Sequence, residues 1–485
     1  MLDFITMCDG YKLDHRRQFP VGTQRIYSNF TPRGSRVEGQ DKVVFFGLQY
    51  FLTEYLGRIA KETFFDQPKA KVLDKYQRLL DSYFGPNDIG VGHIAALHDY
   101  GRMPLAFFAL PEGTHVPLRC PMFTLVNTHD DFFWMTNYIE TMLSSVIWHA
   151  CTSATTAYRY RKLLDAYAAR TSSAPDFVQW QAHDFSFRGL SGPEAAAMSG
   201  AGHLLSFTGT DTVPAIQLLE EHYDATGLIG GSVPATEHAV MCAGSRESEM
   251  ETFERLLTLY PSGIVSVVSD TWDLWNVIKN TLPALKARIM TRNGKLVIRP
   301  DSGVPEDILC GDPNAPAGSQ QHAGVISQLW NIFGGTVNHK GFKELDPHIG
   351  AIYGDSITEQ RADTICKRLE AKGFASTNVV LGIGSFTYQY VTRDTFGFAI
   401  KATWAKVNGE ERELYKDPAT DNGVKKSARG KLVIVNNGGR IEMRDGLSEK
   451  QHSAETADLL APVWREGKLL RRQTLEDIRA RTRAG

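Results

Sequence analysis

Between about residues 150 and 395, a short apolar run ends in a polar loop roughly every 30 residues, with a helical pattern filling each gap. Phe177–Trp180 leads to His183-Asp184 and Arg188, His203–Phe207 to Gly209-Thr-Asp211, and a short segment around Val233 to Glu237-His238. Ile264–Val268 leads to Asp270, Leu296–Ile298 to Arg299 and Asp301, Ile349–Tyr353 to Gly354-Asp355, and Asn378–Leu381 to Gly382-Ile-Gly384-Ser385. Strand, polar loop and helix in steady alternation predict a parallel α/β barrel, whose active site is built from residues at the carboxyl ends of the strands. An open doubly wound sheet is the alternative, but it gathers only two or three such loops at one crevice.

The clearest of these units is Lys295-Leu-Val-Ile-Arg-Pro-Asp-Ser-Gly303. Three strand-favouring residues suit a strand buried on both faces. Pro300 then stops the ladder and Gly303 permits a sharp turn. The strand end presents a guanidinium that can fork onto phosphate and a carboxylate suited to sugar hydroxyls or a divalent cation. One helix is expected to start at Ser356-Ile-Thr-Glu359, a capping-box spacing, and to stop at Gly373. The Gly/Pro/Ala-rich stretch 311–321 reads as a surface insertion, with a lid as the alternative.

The flanks read differently, and divide the chain into 1–148, 149–395 for the barrel, and 396–485. In the first, Arg25–Phe30, Pro104–Leu110 and Met122–Val126 look like strands, Lys69–Phe84 is an amphipathic helix, and Val43–Leu52 fits either a helix start or a buried strand. Asp130-Asp131 reads as the cap and first turn of a long apolar helix reaching about Trp148. In the last, Asn408-Gly409 and Asn436-Asn-Gly-Gly439 each separate two strand patterns, the signature of hairpins. The two flanks are expected to form a second, α+β domain around a mixed or antiparallel sheet. Between the hairpins lies a basic segment, either a solvated loop or a gate for polyphosphate; Lys401, Lys416 and Lys426 are the candidate polyphosphate or ATP contacts.

A net charge of −2 argues against nucleic acid as a partner. No apolar run is long enough to span a bilayer, and Met1–Asp9 has no basic leader. Six scattered cysteines with no CxxC pair read as buried thiols in a reducing cytoplasm.

Sorted by type, Arg188, Arg299 and Arg393 are phosphate donors, and Gly354 and Gly382-Ile-Gly384 let backbone N–H groups approach a phosphate. Asp270, Asp301 and Asp355 suit ribose hydroxyls and Mg²⁺. His238, before Ala-Val-Met, falls in the first turn of a helix beside Glu237. The set describes a sugar-phosphate enzyme. With neither GxxxxGK[ST] nor GxGxxG present, kinase and dehydrogenase readings are weak. An aldolase or isomerase barrel would want a catalytic lysine on an inner strand, and none of these strand ends offers one.

The chain resembles the nicotinamide phosphoribosyltransferase family. The resemblance rests on His183-Asp-Phe-Ser-Phe-Arg-Gly189, Gly209-Thr-Asp-Thr-Val213, Val233-Pro-Ala-Thr-Glu-His238, Val267-Val-Ser-Asp270, Ile298-Arg-Pro-Asp-Ser-Gly303, Gly354-Asp355 and Thr392-Arg-Asp394, with Asp9-Gly-Tyr-Lys12 and Tyr415-Lys-Asp-Pro418 near the ends. It implies a type II phosphoribosyltransferase, a Mg²⁺-dependent homodimer with shared sites. Such an enzyme makes nicotinamide mononucleotide and pyrophosphate from nicotinamide and phosphoribosyl pyrophosphate, driven by ATP through a phosphohistidine. By matching position that histidine is His238, oriented by Asp270. Phe185, and Tyr11 from the partner subunit, would stack on the pyridine ring, Arg188 would hold the ring and contact pyrophosphate, and Asp211 would accept the carboxamide N–H. Arg299 and Asp301 would bind phosphate and ribose, and Gly354, Asp355, Gly384, Ser385 and Arg393 would line the ribose and 5′-phosphate site. Mg²⁺ would be held mainly by diphosphate and water. A nicotinate phosphoribosyltransferase is the nearest alternative. Departures from the family pattern are Gly384-Ser-Phe386 in the last phosphate loop, Phe187 where Tyr is common, and Gly10 in place of Ser.

Overall fold

The computed structural model describes residues 2–416 and 428–485. Lys426 of the basic segment, and Asp417-Pro418, lie outside them. The chain divides into two compact units, one of residues 1–154, 218–225 and 391–485, the other of 155–217 and 226–390.

The second unit is a parallel barrel. Ala182–Asp184, Val379–Ile383, Ile349–Tyr353, Asn293–Arg299 and Ser262–Val268 form one parallel sheet in that order. Isolated parallel bridges close the ring: Asp184 with Thr210, Gly209 with Gly231, and Ala235 with Ser266. The neighbours around the ring therefore follow chain order, which a doubly wound sheet would not do. Leu296 and Ile298 point outward into the apolar layer under the helices, with Val265, Val267, Ile349, Ala351, Leu381 and Ile383. Val297 is only half-buried, so this strand is not dry on both faces as expected. Its other face, with Lys295, Val297 and Arg299, alternates to the opposite side.

Two expected strands are not strands. Phe177–Trp180 is helical, because Pro175 and Asp176 start a helical stretch that runs through Gln181 and leaves only Ala182–Asp184 extended. His203–Phe207 follows a helix, Pro193–His203, as a turn. The run is apolar because it is buried, and burial alone does not separate a strand from a helix exit. The capping expectation at Ser356 shifts by two residues: Thr358 accepts from the Arg361 N–H and the helix is Glu359–Ala371, with Gly373 at φ +72° behind it.

The first unit is built on a seven-stranded antiparallel sheet in the order Glu410–Glu413, Phe398–Val407, Thr23–Pro32, Phe123–Asn127, Leu105–Ala109, Ala461–Arg465, Lys468–Leu469. Both flanks of the chain thus share one sheet. Asn408 and Gly409 at φ +51° and +81° make the tight hairpin turn, and Gly438 and Gly439 at +58° and +88° make the second. Val43–Leu52 resolves into a short strand, Lys42–Val44, and a helix start at Leu48. The apolar helix runs Glu140–Thr171, well past Trp148. Asp130 and Asp131 sit in the first turn of a short helix capped by His129, and Asp130 pairs with Arg25 at 3.0 Å, so they are not a catalytic acid pair.

His93, buried between Tyr76 and Trp134, is held neutral. Burial first, and the nearby Arg16 charge second, push its pKa down from 6.5 to about 3. The unfolded chain takes up this proton near pH 6.5, whereas the folded chain resists until about pH 3. Stability from this residue is complete above 6.5 and falls with pH below it, by at most about 1.4 kcal/mol per pH unit. His93→Phe should flatten the pH dependence of the urea midpoint between 6.5 and 4; an unchanged slope would assign the acid sensitivity to other groups.

Candidate active site

The carboxyl ends of the barrel strands bring Phe185, Asp211, His238, Asp270, Arg299, Asp301 and Gly354 into one connected set. After strand Asn293–Arg299, the guanidinium forks onto Asp301, with Nε 3.1 Å from both carboxylate oxygens and Nη2 2.8 Å from Oδ2. Its carbon lies 5.2 Å from the centroid of the Phe185 ring, which leaves the end of strand Ala182–Asp184. Gly354 fits against this pair: a β-carbon there would lie 2.5 Å from Asp301 Oδ1.

Asp270 follows strand Ser262–Val268. Its Oδ2 accepts from the Asp301 N–H at 2.9 Å and the Ser302 hydroxyl at 2.5 Å. Its Oδ1 is buried without a hydrogen bond and points at Nε2 of His238, 3.6 Å away. His238 is the first residue of the helix His238–Ala243, and its side chain is half exposed. A small ring rotation would bring this carboxylate and imidazole into contact.

Across the ring, Asp211 is bound by His183 Nε2 at 2.9 Å and by the Ser232 hydroxyl at 2.6 Å, both on Oδ1. Burial works to raise its pKa, but the bonds from His183 and Ser232 and the charge of Arg299 outweigh it, and the carboxyl sits below its ordinary range. The His183 ring is also 4.7 Å from that of Phe185. Behind it, His203 is wholly buried, bonded to the Tyr388 hydroxyl at 2.7 Å and to the Gly209 carbonyl at 3.1 Å, and burial pushes its pKa down to about 4. Neutral His203 therefore donates from Nε2 to Gly209 and accepts from Tyr388 at Nδ1. Asp184, also buried, accepts from the Ser186 N–H and hydroxyl and from Thr210. It shapes the loop that carries Phe185 and Arg188.

Arg188 and Asp355 are exposed at the rim. Ser385 packs on Gly189, where a β-carbon would lie 2.4 Å from its Oγ, so the first and last loops interlock. Phe386 stacks on Tyr390, centroids 4.9 Å apart and both exposed. Tyr11, Arg393, Lys401 and Lys416 belong to the other unit. There the Tyr11 hydroxyl donates to Asp9 and Arg393 meets Asp394 at 3.4 Å. A β-carbon on Gly10 would lie 2.1 Å from the Tyr83 hydroxyl oxygen, so a side chain there requires the exposed Tyr83 ring to swing aside. Lys295 lies on a barrel strand, but at the far end from Arg299, so it does not revive an aldolase reading. Among the described residues no three His, Cys, Asp or Glu side chains group as a metal site, and no helix is long and apolar enough to cross a membrane.

The residues that the spacing pattern did not single out for a role are His183, Ser232 and Ser302. Each holds a carboxylate that the pattern did single out.

Two solved structures share the fold. Nicotinate-nucleotide pyrophosphorylase from Pyrococcus furiosus aligns with a TM-score of 0.58 at 14% identity, covering 99% of this chain and 95% of its own. Human nicotinic acid phosphoribosyltransferase aligns at 0.58 and 16%, covering 98% and 91%. A parallel barrel and a separate antiparallel sheet are the fold of a type II phosphoribosyltransferase. Residues 180–459 match the nicotinate phosphoribosyltransferase (NAPRTase) family, and residues 3–106 match the nicotinamide phosphoribosyltransferase N-terminal domain. Nicotinamide phosphoribosyltransferase of Acinetobacter baylyi is 51% identical over 98% of this chain and 95% of its own length. That of Xanthomonas campestris pv. campestris is 35% identical over 97% and 96%. The chain belongs to the nicotinate phosphoribosyltransferase family.

Proposed function

We propose that this enzyme transfers the phosphoribosyl group of phosphoribosyl pyrophosphate to nicotinamide, giving nicotinamide mononucleotide and pyrophosphate in NAD salvage. The observation that carries the choice of base is Asp211. Its carboxyl is held ionised against His183, whose ring lies 4.7 Å from that of Phe185, so it accepts an amide N–H and repels a carboxylate, a like-charge contact worth several kcal/mol. Both relatives described above bear the name of the nicotinamide enzyme.

In this reading the pyridine stacks on Phe185, with Tyr11 of the partner subunit on its other face in a homodimer. The ring nitrogen lone pair attacks C1 of the ribose as the C1–O bond breaks, and its electrons leave on pyrophosphate. The ribose passes through an oxocarbenium-like state, so Asp301 near the sugar and Arg299 and Arg188 near the phosphates lower the barrier. Asp355, Gly354, Gly384 and Ser385 take the ribose and 5′-phosphate. Mg²⁺ would be carried mainly by the diphosphate and water, and when bound would neutralise charge building on the leaving group. None of the six cysteines forms a disulfide, in keeping with a cytoplasmic enzyme.

ATP enters as a co-substrate at His238. Asp270 on Nε2 would hold the proton there and leave Nδ1 to accept the phosphoryl group. The added charge then faces the arginines and Mg²⁺ and tightens the phosphoribosyl donor. His238→Ala should retain weak transfer and lose its response to ATP. The assay is mononucleotide formation from phosphoribosyl pyrophosphate with each base, with and without ATP. Undiminished ATP stimulation in the variant would remove His238 from this role, and a wild-type preference for nicotinate would overturn the choice of base.

A further inference from the structure

A carboxylate has two oxygens, and in Asp211 they are not equivalent. Oδ1 takes both the His183 Nε2 and the Ser232 hydroxyl, at 2.9 and 2.6 Å, which uses both of its lone pairs. The backbone beneath is anchored too: the Asp211 N–H donates to the Asp184 carbonyl at 3.0 Å. His183 is itself fixed. It is buried, its ring lies 4.7 Å from Phe185, and a β-carbon on Gly209 would lie 2.8 Å from its Nδ1. Gly209 is held in turn by its carbonyl bond to buried His203. The rigid chain from Tyr388 through His203 and Gly209 to His183 leaves the ring little freedom to turn.

We propose that His183 and Ser232 form a two-donor clamp on Asp211 Oδ1 that turns Oδ2 toward the base as a single, oriented acceptor. They are positioning residues. Discrimination between a carboxamide and a carboxylate then depends on which atom of residue 211 the clamp seizes, as well as on its charge. This inference rests on Asp211 being the group that meets the base.

The clamp makes a prediction that charge alone does not. In Asp211→Asn, with His183 Nε2 and the Ser232 hydroxyl still donating, the amide oxygen takes both of their bonds and the amide NH₂ faces the base. An NH₂ donor there suits nicotinate. With the clamp intact, Asp211→Asn should reverse the preference, favouring nicotinate over nicotinamide by about tenfold in kcat/KM. With the clamp removed (His183→Ala and Ser232→Ala added), the amide turns either way, and the two bases should be used within about threefold of each other. In the Asp211 enzyme, Ser232→Ala and His183→Ala should raise KM for nicotinamide and leave KM for phosphoribosyl pyrophosphate in place, and His183→Gln should restore part of the loss. Ser232 is exposed, so its variant keeps the test intact should His183→Ala fold poorly. Equal reversal with and without the clamp overturns the clamp and leaves Asp211 as the selector. No change of preference in any Asp211→Asn enzyme overturns both.

Discussion

Arg299→Ala should lower kcat/KM for phosphoribosyl pyrophosphate by about two to three orders of magnitude, the range seen when one preorganised transition-state donor is removed. Three functions end with that side chain. The fork on Asp301 disappears, and a carboxylate only 16% exposed is left without its counter-charge. The cation over Phe185 disappears, so the aromatic floor is no longer braced from that side. One of the charges that hold the Asp211 carboxyl low also goes, at a site meant to receive a polyanion. Arg299→Lys separates these terms, because an ammonium keeps the charge without the planar fork. It should recover a part of the loss, mostly in KM for phosphoribosyl pyrophosphate. Steady-state kinetics on both variants decide it. A fall of less than tenfold in Arg299→Ala would place the phosphates elsewhere in the barrel mouth.

The same strand shows why part of the architecture was legible in the residues alone. Ile264–Val268, Leu296–Ile298, Ile349–Tyr353 and Asn378–Leu381 are mainly apolar runs followed within two residues by Pro, Gly or Asp, and each lies in or overlaps a strand of the ring. Asn408-Gly409 gave its hairpin for a local reason, since few other pairs accept two positive φ angles in succession. His203–Phe207 misled because a wholly buried apolar run fits a strand or a helix exit equally well, and Phe177–Trp180 because its apolar residues lie on a helical turn of which only Val178 is buried. Ring closure there relies on single bridges at Thr210, Gly231 and Ala235, too short to leave a periodic pattern. The same holds in the site. That Asp211, Asp270 and Asp301 stand at strand ends follows from the alternation of strand and loop. That His183 and Ser232 converge on one oxygen, or that Ser302 seizes Asp270, follows only from the closed ring, because the partners come from different loops. The roles assigned to bases and phosphates came from family resemblance, since a polar strand end does not name its ligand.

Gly382 supplies the sharpest structural test of the aromatic floor. It is the penultimate residue of strand Val379–Ile383, buried and without a positive φ, so it is not there for conformational freedom. It is there for room: a β-carbon would lie 2.4 Å from Phe185 Cδ2 and 2.7 Å from the Gly354 α-carbon. The backbone has little scope to yield, since this strand pairs on one side with Ala351–Tyr353 and on the other with Ala182–Asp184. Phe185 must move instead, and it is held between Arg299 and His183. Gly382→Ala should therefore cost about 1–3 kcal/mol of stability through overpacking. Because a displacement of about 1 Å of a group that positions a reactant can cost about a hundredfold in rate, kcat/KM for nicotinamide should fall by that order. Gly384→Ala is the matched control for folding: a β-carbon there meets nothing within 4 Å, so its melting temperature should stay at the wild-type value. Thermal melts and base kinetics on the pair separate the cases. If Gly382→Ala melts and binds nicotinamide like the parent, Phe185 is free to move without consequence and cannot be the surface on which the pyridine rests.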